Sequence, residues 1–164
     1  MREIRFRGKR LDNGEWVLGD LHLNTPYPHI HFGFGNRAKI DADTIGQFTG
    51  LLDKNGKEIY EGDIIQGNCG HGEVRHLISF YDMTASFVAE MLPDNGISDY
   101  CSLSQIWILK YNKEVIGNIH DNPNLVTIDL GIAELPHNPE NDWIGENFDG
   151  WILDENGNRV FIGC

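Results

Sequence analysis

The stretch from Leu52 to Ile65, LDKNGKEIYEGDII, constrains this chain more than any other. Its Asn55-Gly56 pair is the strongest short hairpin signal, because a two-residue turn needs positive φ at both central positions and Asn and Gly tolerate it best. Ile59 and Tyr60 are strand formers, and Gly62-Asp63 reads as a tight corner into Ile64-Ile65. The same grammar recurs at Asn13-Gly14, which leads through Trp16 to Gly19-Asp20, and at Asn156-Gly157, which leads to Val160-Phe161. A chain punctuated in this way is expected to be mostly β.

Composition agrees: 19 glycines in 164 residues suit turns and short strands better than a helical bundle. No run approaches the roughly 18 to 20 apolar residues that span a bilayer, and no apolar signal core follows the charged N-terminus. A cytoplasmic protein with no membrane partner is expected. Cys69, Cys101 and Cys164 are odd in number and widely spaced, which predicts reduced thiols rather than a metal or redox pair.

Periodicity supplies the elements. Residues 2 to 7 alternate, with Ile4 and Phe6 opposite Glu3, Arg5 and Arg7, and should pair with the strand near Trp16. His29 to Phe34 resumes the alternation, with His29 and His31 on one face. With His22 they offer three nitrogens for a metal, but no cysteine or close carboxylate completes a shell, and a solvated strand face is expected. Asp41 or Asp43 caps a short helical turn ending near Ile45. Thr44, Gln47 and Thr49 either line a polar site or satisfy backbone groups, the second being the expectation. Val74 to Phe80 and Phe87 to Met91 read as strands. Leu103 to Leu109 reads equally as strand or helix, and Val115 to Ile119 as a closing strand. The expected architecture is N-terminal β-hairpins over residues 1–57, packed against a small SH3-like or related partly open β-barrel of about five strands over 58–125. An acidic, aromatic extension over 126–164 ends in a β-hairpin.

Three separated segments carry a resemblance: MREIRFRGKRLDNGEWVLGDL, IGQFTGLLDKNGKEIYEGDII and EVIGNIHDNP. Taken together they resemble the YopX family of small phage and prophage proteins over about residues 1 to 125. The fold signature lies in Asn13, Gly14, Gly19, Asp20, Asn55, Gly56, Gly62, Asp63, Gly117 and Asn118. The resemblance implies a mostly β protein from a bacterial mobile element, resident in a bacterial cytoplasm, and supplies no catalytic residue. The family pattern commonly ends soon after Asn122-Pro123, whereas this chain continues for about forty residues.

No catalytic motif, cofactor or metal site emerges, and the chain is not expected to be an enzyme. Asp20 and Asp63 are read as turn residues rather than an acid–base pair. Cys69, His71 and His76 lack an orienting partner. The DxNG runs at Asp53 and Asp154 fall short of the twelve-position calcium loop.

Charge separates the two remaining classes. Net charge is −12, with nine acids and only Arg159 as a base in residues 121 to 164. Such a surface repels phosphate backbones. The leading expectation is a noncatalytic module that binds an unidentified protein or a second copy of itself, with Trp143, Phe148, Trp151 and Phe161 as anchors. The alternative, possible but not favoured, is a single-stranded nucleic-acid-binding barrel using Arg2, Arg5, Arg7, Lys9 and Arg10. Convergence of those bases with Trp16 or Tyr60 on one groove would mark it.

Overall fold

The computed structural model describes residues 3–23, 26–68, 72–92 and 100–126, together with the backbone of residues 151–153 and 159–161. The chain divides into two compact units, Met1–Ile128 and Asp129–Cys164.

In the first unit the turn grammar produces two sheets. Strands β1 (Phe6–Lys9) and β2 (Trp16–His22) pair antiparallel across the Asn13-Gly14 turn, Lys9 opposite Trp16. Strands β3 (His29–Phe32) and β4 (Asn36–Lys39) continue the meander. On the other side of β1 lies β5 (Gly46–Leu52), followed by β6 (Glu58–Tyr60), giving the order β4-β3-β2-β1-β5-β6. Asp41 caps a single 3-10 turn over Ala42–Thr44 by accepting from the Asp43 amide, as expected of an acid at that position. The first strand begins at Phe6, later than its alternation suggested, and leaves Ile4 exposed.

The second sheet has the order β10-β9-β8-β7-β11, from β7 (Asp63–Asn68), β8 (Glu73–Tyr81), β9 (Ser86–Leu92), β10 (Tyr100–Ser102) and β11 (Glu114–Asn118). All its pairings are antiparallel. Five strands match the number expected of the partly open barrel, and among the described residues they form an open sheet. Helix α1 (Gln105–Lys110) follows β10 and precedes β11, and its Ile108 enters the core. Thus Leu103 to Leu109 resolves into helix, with Ser104 accepting from the Trp107 amide as N-cap.

Two apolar clusters hold the unit together. Val17, Ile30, Ala38 and Ile40 fill the N-terminal sheet. Ile59, Ile65, Ile78, Ala89 and Ile108 form the second, so β6, the last strand of the first sheet, supplies a core residue to the other. Each fully buried isoleucine contributes roughly 1.5–3 kcal/mol of transfer free energy.

The central hairpin is built differently from a two-residue turn. Only Gly56 takes positive φ (82°), and the Asp53 amide donates to Lys57 O across a longer connection. Asp53 does the organising, its Oδ1 accepting from the Asn55 and Lys57 amides at 2.7 and 2.9 Å. A carboxylate that binds its own turn removes the need for Asn55 to adopt a left-handed conformation.

The second unit contains one described hairpin, β12 (Trp151–Leu153) antiparallel to β13 (Arg159–Phe161), with Trp151 opposite Phe161. Trp143 and Phe148 lie outside the described residues, as does the Asn156-Gly157 turn.

Candidate functional site

The three separated sequence segments meet at one seam between the two sheets. β1 contributes Arg7 and Lys9, β2 contributes Trp16, the β6–β7 corner contributes Tyr60 and Asp63, and the turn after β11 contributes His120 and Asp121. The Arg7 guanidinium lies 4.7 Å from the Trp16 ring centroid and 5.0 Å from that of Tyr60. Its Nη1 reaches Asp63 Oδ1 at 2.7 Å and its Nη2 donates to Glu61 O at 3.1 Å. Asp63, only 2% exposed, also accepts from the Tyr60 amide. Burial pushes its carboxyl above the usual range, outweighing the opposing pull of Arg7.

Lys9 continues the pattern, 5.5 Å from the Trp16 centroid and 2.5 Å from Asp121 Oδ1. The indole Nε1 of Trp16 donates to the other Asp121 oxygen at 2.7 Å, and Asn118 Nδ2 does so at 2.8 Å. These donors, Asn118 foremost and Lys9 next, hold Asp121 well below the ordinary carboxylate range. Burial, with Arg7 and Lys9 beside it, lowers His120. At the far end Arg5 pairs with Glu58, which also accepts from the Tyr60 hydroxyl.

Arg5, Arg7 and Lys9 therefore converge with Trp16 and Tyr60, but each cation meets a carboxylate and stacks on an aromatic face. Arg10 is likewise held by Asp12. Arg2 lies outside the described residues. What the seam does physically is clamp one sheet to the other.

The remaining signature residues are structural. Asn118 Oδ1 accepts from the His120 and Asp121 amides. A Cβ on Gly19 would stand 1.9 Å from His31 O, so only glycine allows β2 and β3 to approach there. Asp20 and Asp63 are not equivalent: Asp20 is exposed and faces His31 across the strands. Thr44 accepts from the Lys9 amide and Thr49 donates to Ile59 O, as expected of residues that satisfy backbone groups. The Asp53 carboxylate is occupied by the Asn55, Lys57 and Val115 amides. Cys69 and His71 lie outside the described residues. Among the described residues no group of three or more His, Cys, Asp or Glu is arranged to hold a metal ion.

Sequence reasoning missed a cavity of about 180 Å³ under α1, lined by His76, Ala89, Met91, Tyr100, Cys101, Trp107 and Tyr111. His76 is 5% exposed and packs edge-on against Trp107, with centroids 5.2 Å apart. Behind it lies the fully buried Lys113, whose Nζ is 3.4 Å from His76 Nδ1, 3.3 Å from Gly67 O and 4.9 Å from the Trp107 centroid. Burial, then Lys113, pushes His76 down to about 4, so its imidazole is neutral at pH 7. The signal for His76 was its parity with Ile78, which places it on the apolar face of β8. Lys113 carried no such signal.

The family model described as YopX protein matches residues 6–127. The crystal structure of protein EF1440 from Enterococcus faecalis is similar, with 27% identity and a TM-score of 0.52 over 77% of this chain and all of that one. No curated protein matches the chain. The family match ends before Asp129, where the second unit begins.

Proposed function

The chain belongs to the YopX family, and from that premise we propose that it is a phage or prophage accessory protein acting in the bacterial cytoplasm as a noncatalytic protein-binding module. The observation that carries this reading is the neutralised seam. Arg5, Arg7, Lys9 and Arg10, the densest basic run in the sequence, are each paired with a carboxylate. A phosphate backbone would have to displace those partners while approaching a chain of net charge −12. Surface of a protein partner carries no such uniform charge. The open edges of both sheets and the apolar anchors Trp143, Phe148, Trp151 and Phe161 are the surfaces such a module would use.

Tagged full-length protein, expressed in a bacterial cell carrying the cognate mobile element and purified after nuclease treatment, tests the reading. A stoichiometric protein partner, or a concentration-dependent oligomer in light scattering, is expected. W151A and F161A should weaken it if the C-terminal unit supplies the anchors. Saturable, salt-sensitive binding of a single-stranded oligonucleotide with no retained protein would replace this reading with the nucleic-acid one.

A further inference from the structure

Away from the seam, the outer face of β2, β3 and β4 gathers basic side chains. Cross-strand partners share a face, and the registers place Asp20, His31 and Arg37 in one row and His22, His29 and Lys39 in the next. The His22 and His31 rings stack with centroids 4.0 Å apart. Lys39 lies 5.1 Å from the Tyr27 ring centroid. Neither Arg37 nor Lys39 enters an ion pair among the described residues. Both also line a hollow of about 350 Å³ beside the β1–β2 turn, whose single acid, Asp12, is already held by Arg10. At the tip of the β3–β4 turn, Phe34 is fully exposed between Gly33 and Gly35, both at positive φ (57° and 80°).

The fold does not require this arrangement. The apolar residues beneath it, Ile30 and Ala38, pack without help from the outer face. On these rows the Arg37 and Lys39 charges stand against one acid, Asp20. Crowding shows at His31: burial, then His22, Arg37 and His29, disfavour its charged form, and only Asp20 opposes them. A carboxylate arriving at the face would supply the missing counter-charge.

We propose that the face formed by His22, His29, His31, Arg37 and Lys39 docks a short acidic peptide segment of a partner protein, with an apolar side chain of that segment against Phe34. The inference rests on the protein-binding reading and names the partner's chemistry. A three-stranded face is about 10 Å wide, enough for one extended segment. A long polyanion such as nucleic acid would extend beyond it on a chain of net charge −12.

The test uses the intact chain and a short fluorescein-labelled peptide of glutamates with one phenylalanine, followed by fluorescence polarisation at low ionic strength. Affinity is expected to fall about tenfold or more in R37E/K39E, and to weaken as salt is added. The exposed positions of Arg37 and Lys39 leave the fold intact, which circular dichroism checks. F34A should weaken binding while preserving its salt dependence. No binding, binding indifferent to R37E/K39E, or tighter binding of a thymidylate oligomer through the same residues would overturn the proposal. If the wild-type chain and R37E/K39E retain the same protein partner, this face falls and the protein-binding reading stands. If neither retains one, the parent reading falls.

Discussion

The Arg7 guanidinium donates to the buried carboxylate of Asp63 at 2.7 Å, tying strand β1 of one sheet to the start of β7 in the other. Around this pair lie two aromatic faces and the Glu61 carbonyl, so the bond is both geometric and electrostatic. Removing one partner would leave the other buried and uncompensated.

Arg7→Met is expected to destabilise the protein by about 3–5 kcal/mol, the range for stripping a buried charge of its partner. Asp63→Asn should cost less, because the amide oxygen still accepts from the Tyr60 N–H. Urea unfolding of the two variants checks the order, and an equal or reversed effect would place the stabilising role elsewhere.

Asp53 joins the central hairpin to β11 through three amide hydrogen bonds, to Asn55, Lys57 and Val115. Asp53→Ala should therefore cost about 2–4 kcal/mol, since three amides lose one shared, buried acceptor. Asp53→Asn should recover part of the loss. A melting temperature unchanged in the alanine variant would contradict this account.

His76 makes stability depend on pH. Its folded-state pKa, lowered to about 4, lies below that of an unfolded histidine, so the unfolded chain binds the extra proton between those values. Its contribution is fully present above about pH 6.5 and is lost as the pH falls through the folded value, roughly 3 kcal/mol in all. His76→Gln should flatten that part of the stability profile, measured by urea unfolding at pH values spanning the window. A profile of unchanged slope would show that the imidazole is not the group responsible.

Two glycines should respond for different reasons. A Cβ at Gly67 would stand 2.4 Å from Tyr111 O and 2.7 Å from Lys113 Cδ, so Gly67→Ala pushes apart the wall of the His76 cavity and is expected to cost about 1–3 kcal/mol. At Gly56 nothing lies within 4 Å, but φ is 82°, and Gly56→Ala should cost about 1–2 kcal/mol through backbone strain alone. Asn at position 56, tolerant of that conformation, should restore most of the second loss and would not help at 67. Thermal melts of the three variants separate the two mechanisms.

Much of the fold was legible because its signals are local. Turn residues at Asn13-Gly14 and Asn55-Gly56 and period-two alternation located β1, β2, β5 and β6, and the family resemblance is shown by the match over residues 6–127. The form of the central turn was not legible, because a carboxylate two residues before Asn55 took over its backbone bonding. Nor was the open sheet: strand count alone does not say that α1 follows the edge strand β10 and carries Ile108 into the core. Lys113 escaped notice because one lysine after a turn looks like any solvated lysine until neighbours enclose it.

Where the chain turns, which residues alternate inward and the acidic net charge follow from residues a few positions apart and from summed charge. Which charges remain available depends on the fold. Arg5, Arg7 and Lys9 looked like a free basic strand, yet Glu58, Asp63 and Asp121, from 53 to more than a hundred residues away, neutralise them. Arg37 and Lys39, unremarked in sequence, enter no ion pair among the described residues. Coulomb interaction depends on separation in space and on exclusion of water, and neither is written in the order of residues along the chain.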